Sequence, residues 1–193
     1  MSTYIADRLD IADLMTGWMY RDLGDWDRLR TLFHPDGVIE VTWFEGKFSD
    51  FVDASMRMGA SDIRTKHLIT PPVVTIAGDR AIAETNSVVV GENIALKLGC
   101  NAHTRFYDLV EKRDGVWKIA KRHCIYDMAT FTFPHGIVDI DTATVAKYPR
   151  EYAPLAYLLD RSGFPVKRIF PTRGGDQEKT IRAFATKWLS EKT

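Results

Sequence analysis

Cysteine, net charge, long apolar runs and metal-type histidine spacings are all scarce or missing from this chain. Its 193 residues contain two cysteines, Cys100 and Cys124, far apart and outside any CxxC pattern. Two free thiols in a reducing compartment is the expected state, although spacing alone leaves a bridge between them open. Lys plus Arg number 26 and so do Asp plus Glu. This zero balance argues against a nucleic-acid or anionic-membrane partner, which normally calls for a basic excess. No apolar run reaches transmembrane length, and the opening MSTYIADRLD lacks the basic-then-apolar order of a secretion signal. A cytoplasmic protein is expected. The five histidines show no HxH or HxxxH spacing, so no metal is expected. TRGGD near the C-terminus has the wrong glycine and lysine spacing for a phosphate loop and reads as a turn before a helix.

A hydrophobic content of 45% is ordinary for a globular chain, and the length suits one domain with an appendage. In residues 5–23, Ile11, Leu14, Met15, Trp18 and Met19 recur at helical spacing and mark one buried face of a first helix. At ~100° per residue, position 22 lies only ~20° around the helix from position 11. Asp22 therefore falls on the apolar face, whereas Asp7, Asp10 and Asp13 turn outward. A buried carboxylate needs a partner. Gly24 ends this helix, and Asp25 is placed to N-cap a second over residues 26–33.

FHPDG then reads as a turn and VIEVTWF as a strand. Ser49 or Asp50 caps a third helix reaching Met58. Extended segments follow: TKHLIT, VVTIA, AIAETNSVVVGEN, AHTRFYDLVEK and VWKIAKRHCIYDMATF. The Asp114-Gly115 pair between the last two is a strong hairpin signal. In that last strand, residues 120, 122, 124, 126 and 128 share a face that reads as interior, so Arg122 is a buried cation needing a partner or ligand. A strand bulge would reverse this parity. Helices followed by an antiparallel sheet indicate an α+β fold. From Thr132 the chain is punctuated by prolines and ends in a helix over residues 177–189, capped by Asp176. This segment is expected to pack over the sheet, cover a pocket mouth or dock on a neighbouring subunit.

The order YRDLGDWDRLRTLF, then RTKH, then HTRFYDLVEKRDGVWKIAKR resembles the SnoaL-like branch of the nuclear-transport-factor-like (cystatin-like) superfamily. Within it, scytalone dehydratase and hexachlorocyclohexane dehydrochlorinase are the most similar. The likeness covers roughly residues 5–131. It implies a conical, curved antiparallel sheet wrapped around N-terminal helices in residues 1–131, with residues 132–193 as a C-terminal extension. It implies a cofactor-independent enzyme in which Asp22 pairs with His67 as a general base. His103 matches a second pocket histidine and Arg122 a pocket arginine, and Tyr126 is a further candidate for stabilising developing charge. Trp18 and Trp43 suggest an apolar, cyclic or aromatic substrate. Arg21 stands where the dehydratase has a tyrosine, and its second tyrosine is replaced around Val41.

The chemistry expected is elimination, with a neutral His67 removing a proton next to an activating group. Two other readings compete. One is a polyketide-cyclase or ketosteroid-isomerase-like enzyme, in which the acid alone is the base. The other is a non-catalytic β-subunit of an aromatic-ring dioxygenase. Most proteins of this fold associate, so a homo-oligomer is expected, a trimer by preference.

Overall fold

A computed structural model describes residues 4–191. Seven strands form one curled sheet in the order β2-β1-β7-β6-β5-β3, with β4 also paired to β5. The strands are β1 (Phe33–Val41), β2 (Phe44–Lys47), β3 (Ile63–Ile69), β4 (Val73–Ala77), β5 (Arg80–Asn93), β6 (Leu98–Arg113) and β7 (Val116–Thr132). All pairings are antiparallel except β1 with β7. Asp114 and Gly115 both have positive φ, at 51° and 78°, which matches the twist of the β6–β7 hairpin. The sheet is the α+β cone anticipated above.

The first helix is not continuous. α1 (Ile5–Thr16) and α2 (Met19–Leu23) are separate. Between them Trp18, Tyr20 and Arg21 donate to carbonyls three residues back rather than four, a tighter winding. α2 then closes with Gly24 in the left-handed region at φ +69°. There the Asp25 amide bonds back to Tyr20 and the Gly24 amide to Arg21. Asp25 caps α3 (Trp26–Arg30) as expected, but that helix stops at Arg30 because Phe33 opens β1. The FHPDG segment lies inside β1, where the pairing with β7 shifts register between Phe33 and Val38. VIEVTWF is divided by a turn at Thr42 and Trp43. α4 (Phe48–Gly59) lays Phe51, Val52 and Met58 into the core.

β7 corrects the expected parity. Register shifts opposite Leu109/Val110 and His103/Thr104 leave Ala120 and Asp127 without partners. Ile119 faces in, then Arg122, Cys124 and Tyr126, then Ala129, while Met128 is 56% exposed. Two bulges thus take Ala120 and Met128 off the interior face.

The C-terminal segment contains two elements not expected from its prolines, α5 (Thr142–Val145) and α6 (Ala153–Arg161). Every residue of α6 from Ala153 to Leu159 is buried, and Tyr152, Leu155 and Leu158 belong to the main core inside the cone. α7 (Asp176–Ser190), N-capped at Gly175, lies on the opposite, outer face of the sheet. Ala185, Ile181 and Trp188 there cover Tyr107, Leu109 and Ile125. Arg105 anchors it, bonded to Glu84, Asp127 and Glu178. No helix among the described residues is long and apolar enough to cross a membrane.

Candidate active site

α2 and β3 bring Asp22 and His67 together. Along β3, residues 63, 65, 67 and 69 alternate inward. The two side chains are 2% and 7% exposed. Asp22 Oδ1 lies 2.7 Å from His67 Nδ1, and Asp22 Oδ2 accepts the His67 backbone N–H at 2.6 Å. Both carboxylate oxygens are thus engaged by one residue. A carboxylate on Nδ1 holds the proton there and fixes the tautomer, leaving Nε2 unprotonated. Burial pushes the Asp22 carboxyl up, but the His67 hydrogen bonds, the His67 ring and the Arg21 charge outweigh it, so it lies below the usual value. Burial pushes the imidazole down, assisted by Arg21 and Arg122, and Asp22 only partly offsets this. At neutral pH the pair is a carboxylate and a neutral base.

His67 lines a partly open cavity of about 60 Å³ whose walls include Trp18, Trp43, Phe51, Val89, Phe106, Leu155 and Leu159. Trp18 meets His67 edge-on at 5.9 Å and stacks on Phe51 at 5.5 Å. Leu155 and Leu159 come from α6, so the C-terminal segment supplies part of the pocket wall. Tyr126 also lines the cavity, but its hydroxyl accepts the Thr42 N–H at 2.9 Å and donates to Thr42 Oγ1 at 3.2 Å. Burial raises its pKa well above the phenol's ordinary value. Cys124, another wall residue, is a free thiol pushed up by burial to about 11. It is therefore no thiolate nucleophile at neutral pH. Cys100 is likewise free and buried.

Two candidates lie elsewhere. Arg122 is wholly buried, as its interior position required, but it forms a bidentate pair with Asp108 (2.8 Å on each arm) and is not a wall residue of the cavity. Its guanidinium packs on Trp18 and Phe106 at 4.6 and 4.1 Å, supporting the aromatic wall. His103 is exposed on the outer face of β6, since Ala102 and Thr104 point inward around it. It lies on the opposite face of the sheet from the pair.

Arg21 is the residue that helix phase did not find. It is 9% exposed and lines the cavity, where its guanidinium lies 5.9 Å from the Trp43 and Phe51 ring centres. The tight winding before α2 turns it inward beside Asp22. Together with Met58 and Thr65 it separates the cavity from a more open outer cleft of about 280 Å³, which Asp22 lines from the other side. Among the described residues no group of three or more His, Cys, Asp or Glu is gathered as a metal site.

A cystatin-like α+β cone around an apolar pocket, with a buried Asp–His pair whose histidine lines that pocket, is the class of protein these features define. The chain belongs to the SnoaL-like domain family, whose model matches residues 3–123. Pea pathogenicity protein 2 of Fusarium vanettenii is 27% identical over 203 residues, covering 95% of this chain and 85% of that protein. An uncharacterized protein of Emericella nidulans is 26% identical, covering 97% and 88%. Among solved structures, a hexachlorocyclohexane dehydrochlorinase (LinA) is similar at TM-score 0.55 and 18% identity, covering 71% of this chain and 95% of that one. A scytalone dehydratase-like protein from Novosphingobium aromaticivorans is similar at TM-score 0.56 and 16% identity, covering 69% and 91%. At these identities the structural likeness is one of fold. The fungal relatives align over nearly the whole chain, extension included.

Proposed function

We propose that the chain is a cofactor-independent lyase that carries out an elimination on a small, largely apolar cyclic or aromatic substrate. His67 Nε2 takes a proton from carbon beside an activating group. The electron pair left behind forms the new double bond as a hydroxide or similar group departs. Asp22 orients the ring and stabilises the imidazolium that forms. The observation that carries this reading is the double engagement of Asp22 by His67. A carboxylate with both oxygens so occupied is an orienting acid, and it is the histidine that reaches the cavity wall. This weighs against the isomerase-like reading, in which Asp22 alone would be the base. The dioxygenase-subunit reading does not require the contact at all.

The test is turnover of a panel of hydroxylated and halogenated alicyclic and aromatic compounds. With a substrate found, His67→Ala should lower kcat by roughly 10²–10⁴-fold, the usual worth of a positioned base. Asp22→Asn should be comparably impaired. If His67→Ala keeps most of the activity while Asp22→Asn loses it, the acid is the base and the isomerase-like reading replaces this one. We also propose that the chain works as a homo-oligomer, a trimer by preference.

A further inference from the structure

We infer that Arg21 is an anion-recognition residue, so that the substrate of this pocket carries an anionic oxygen group, a carboxylate or an ionised enol or phenol. The inference deepens the lyase reading and rests on the cavity beside His67 being the substrate site. Its ground is an imbalance in the cavity wall. Among the described residues that line it, Arg21 is the one cation and no carboxylate is present. Tyr126 and Cys124 on the same wall are neutral at ordinary pH.

The guanidinium is also under-used. It has five N–H donors in a rigid fork suited to two parallel bonds with a carboxylate. Nη1 donates to Thr65 Oγ1 at 2.8 Å, a neutral partner, and Nη2 meets only the Met58 sulfur at 3.5 Å. Nε is buried and has no partner. Asp22 lies 4.0 Å away, beyond hydrogen-bond reach, and both of its oxygens are already held by His67. Arg122 shows the contrast: its Nη1 is likewise without a partner, but two of its donors are matched by the Asp108 carboxylate. A buried cation is costly unless paired and hydrogen-bonded. Arg21 has charge nearby but lacks acceptors, which is the condition a bound oxyanion would complete. Such a group also suits the chemistry, because a cation at the activating group disperses charge as the proton leaves.

The probes are two carboxylates, butyrate and benzoate, and their neutral counterparts, butyramide and benzamide, titrated into the full chain by calorimetry. Wild type and His67→Ala should both bind each carboxylate about tenfold or more tightly than its amide, the worth of a charge-assisted pair. Arg21→Met should lose this preference while keeping its thermal midpoint, since an apolar side chain replaces a costly cation. Arg21→Lys should restore part of it. Equal binding of acid and amide in wild type would overturn the inference. So would the absence of carboxylate binding, or a preference that survives Arg21→Met. Because binding is read without turnover, failure of His67 as the base would show separately, as activity retained in His67→Ala.

Discussion

At the scale of single residues, the site combines one contact that sequence could anticipate with one that it could not. Helix phase put Asp22 on the apolar face, and its partner followed from the family's order of residues. Arg21 was hidden because a phase of ~100° per residue assumes regular winding, and the tightened turn at Trp18 to Arg21 rotates the next residues further. Arg21 also acts on the pair, since its charge adds to burial in lowering the His67 pKa. Arg21→Met should therefore raise that pKa, read from the ring C–H shifts in an NMR titration, and an unchanged or lower pKa would remove Arg21 from the electrostatics of the base. The same directions make fold stability depend on pH. His67 and Asp22 both have folded values below their ordinary 6.5 and 3.8, so on acidification the unfolded chain takes up these protons first. Their contribution is fully present above about pH 6.5 for His67 and is lost as pH falls through its folded value, with Asp22 following below 3.8. Urea midpoints followed from pH 8 to 5 should decline in wild type and decline less in His67→Ala.

At the scale of elements, strands were legible as runs of β-rich residues, and five of the seven lie where alternation put them. What alternation could not supply was the position of the two β7 bulges. A bulge changes backbone geometry without a sequence mark, so Arg122, Cys124 and Tyr126 faced inward as expected while Ala120 and Met128 did not. α6 escaped for another reason. It is short, nine residues, and Pro154, which reads as a break, sits in its first turn. Its burial has a functional consequence. The cavity of about 60 Å³ is smaller than the ~150 Å³ that holds a benzene ring, so a cyclic substrate fits only if the wall yields or if part of it projects through the open side. Leu159, 4% exposed and on that wall, is a point where α6 closes the space. Leu159→Ala should destabilise the fold by about 2–4 kcal/mol in urea denaturation. Benzene should then raise the variant's thermal midpoint more than that of wild type. Equal responses would mean that α6 does not limit the cavity.

At the scale of the whole molecule, the extension divides its helices between the two faces of the sheet, and the outer one leaves part of its face bare. Paired positions across four strands align Leu68 with Val88, Val88 with His103, and His103 with Met128. Their side chains form a row on the outer surface, with Leu68 57% and Met128 56% exposed. α7 covers a different part of that surface, over Tyr107, Leu109 and Ile125. An apolar row spanning adjacent strands is the kind of patch that marks association, and it supports the proposed homo-oligomer. It also gives His103 a place in the molecule that the pocket does not provide. Leu68→Glu with Met128→Glu sets two charges into the row without touching the cone's interior. The double variant should run as a monomer in light scattering where wild type runs as an oligomer, with its circular dichroism unchanged. A monomeric wild type, or a double variant that still assembles, would remove this surface from consideration. His103→Ala separates the two roles once a substrate is in hand. A residue in the oligomer contact should shift the concentration at which subunits dissociate and leave kcat of the assembled form alone, whereas a pocket histidine would do the reverse.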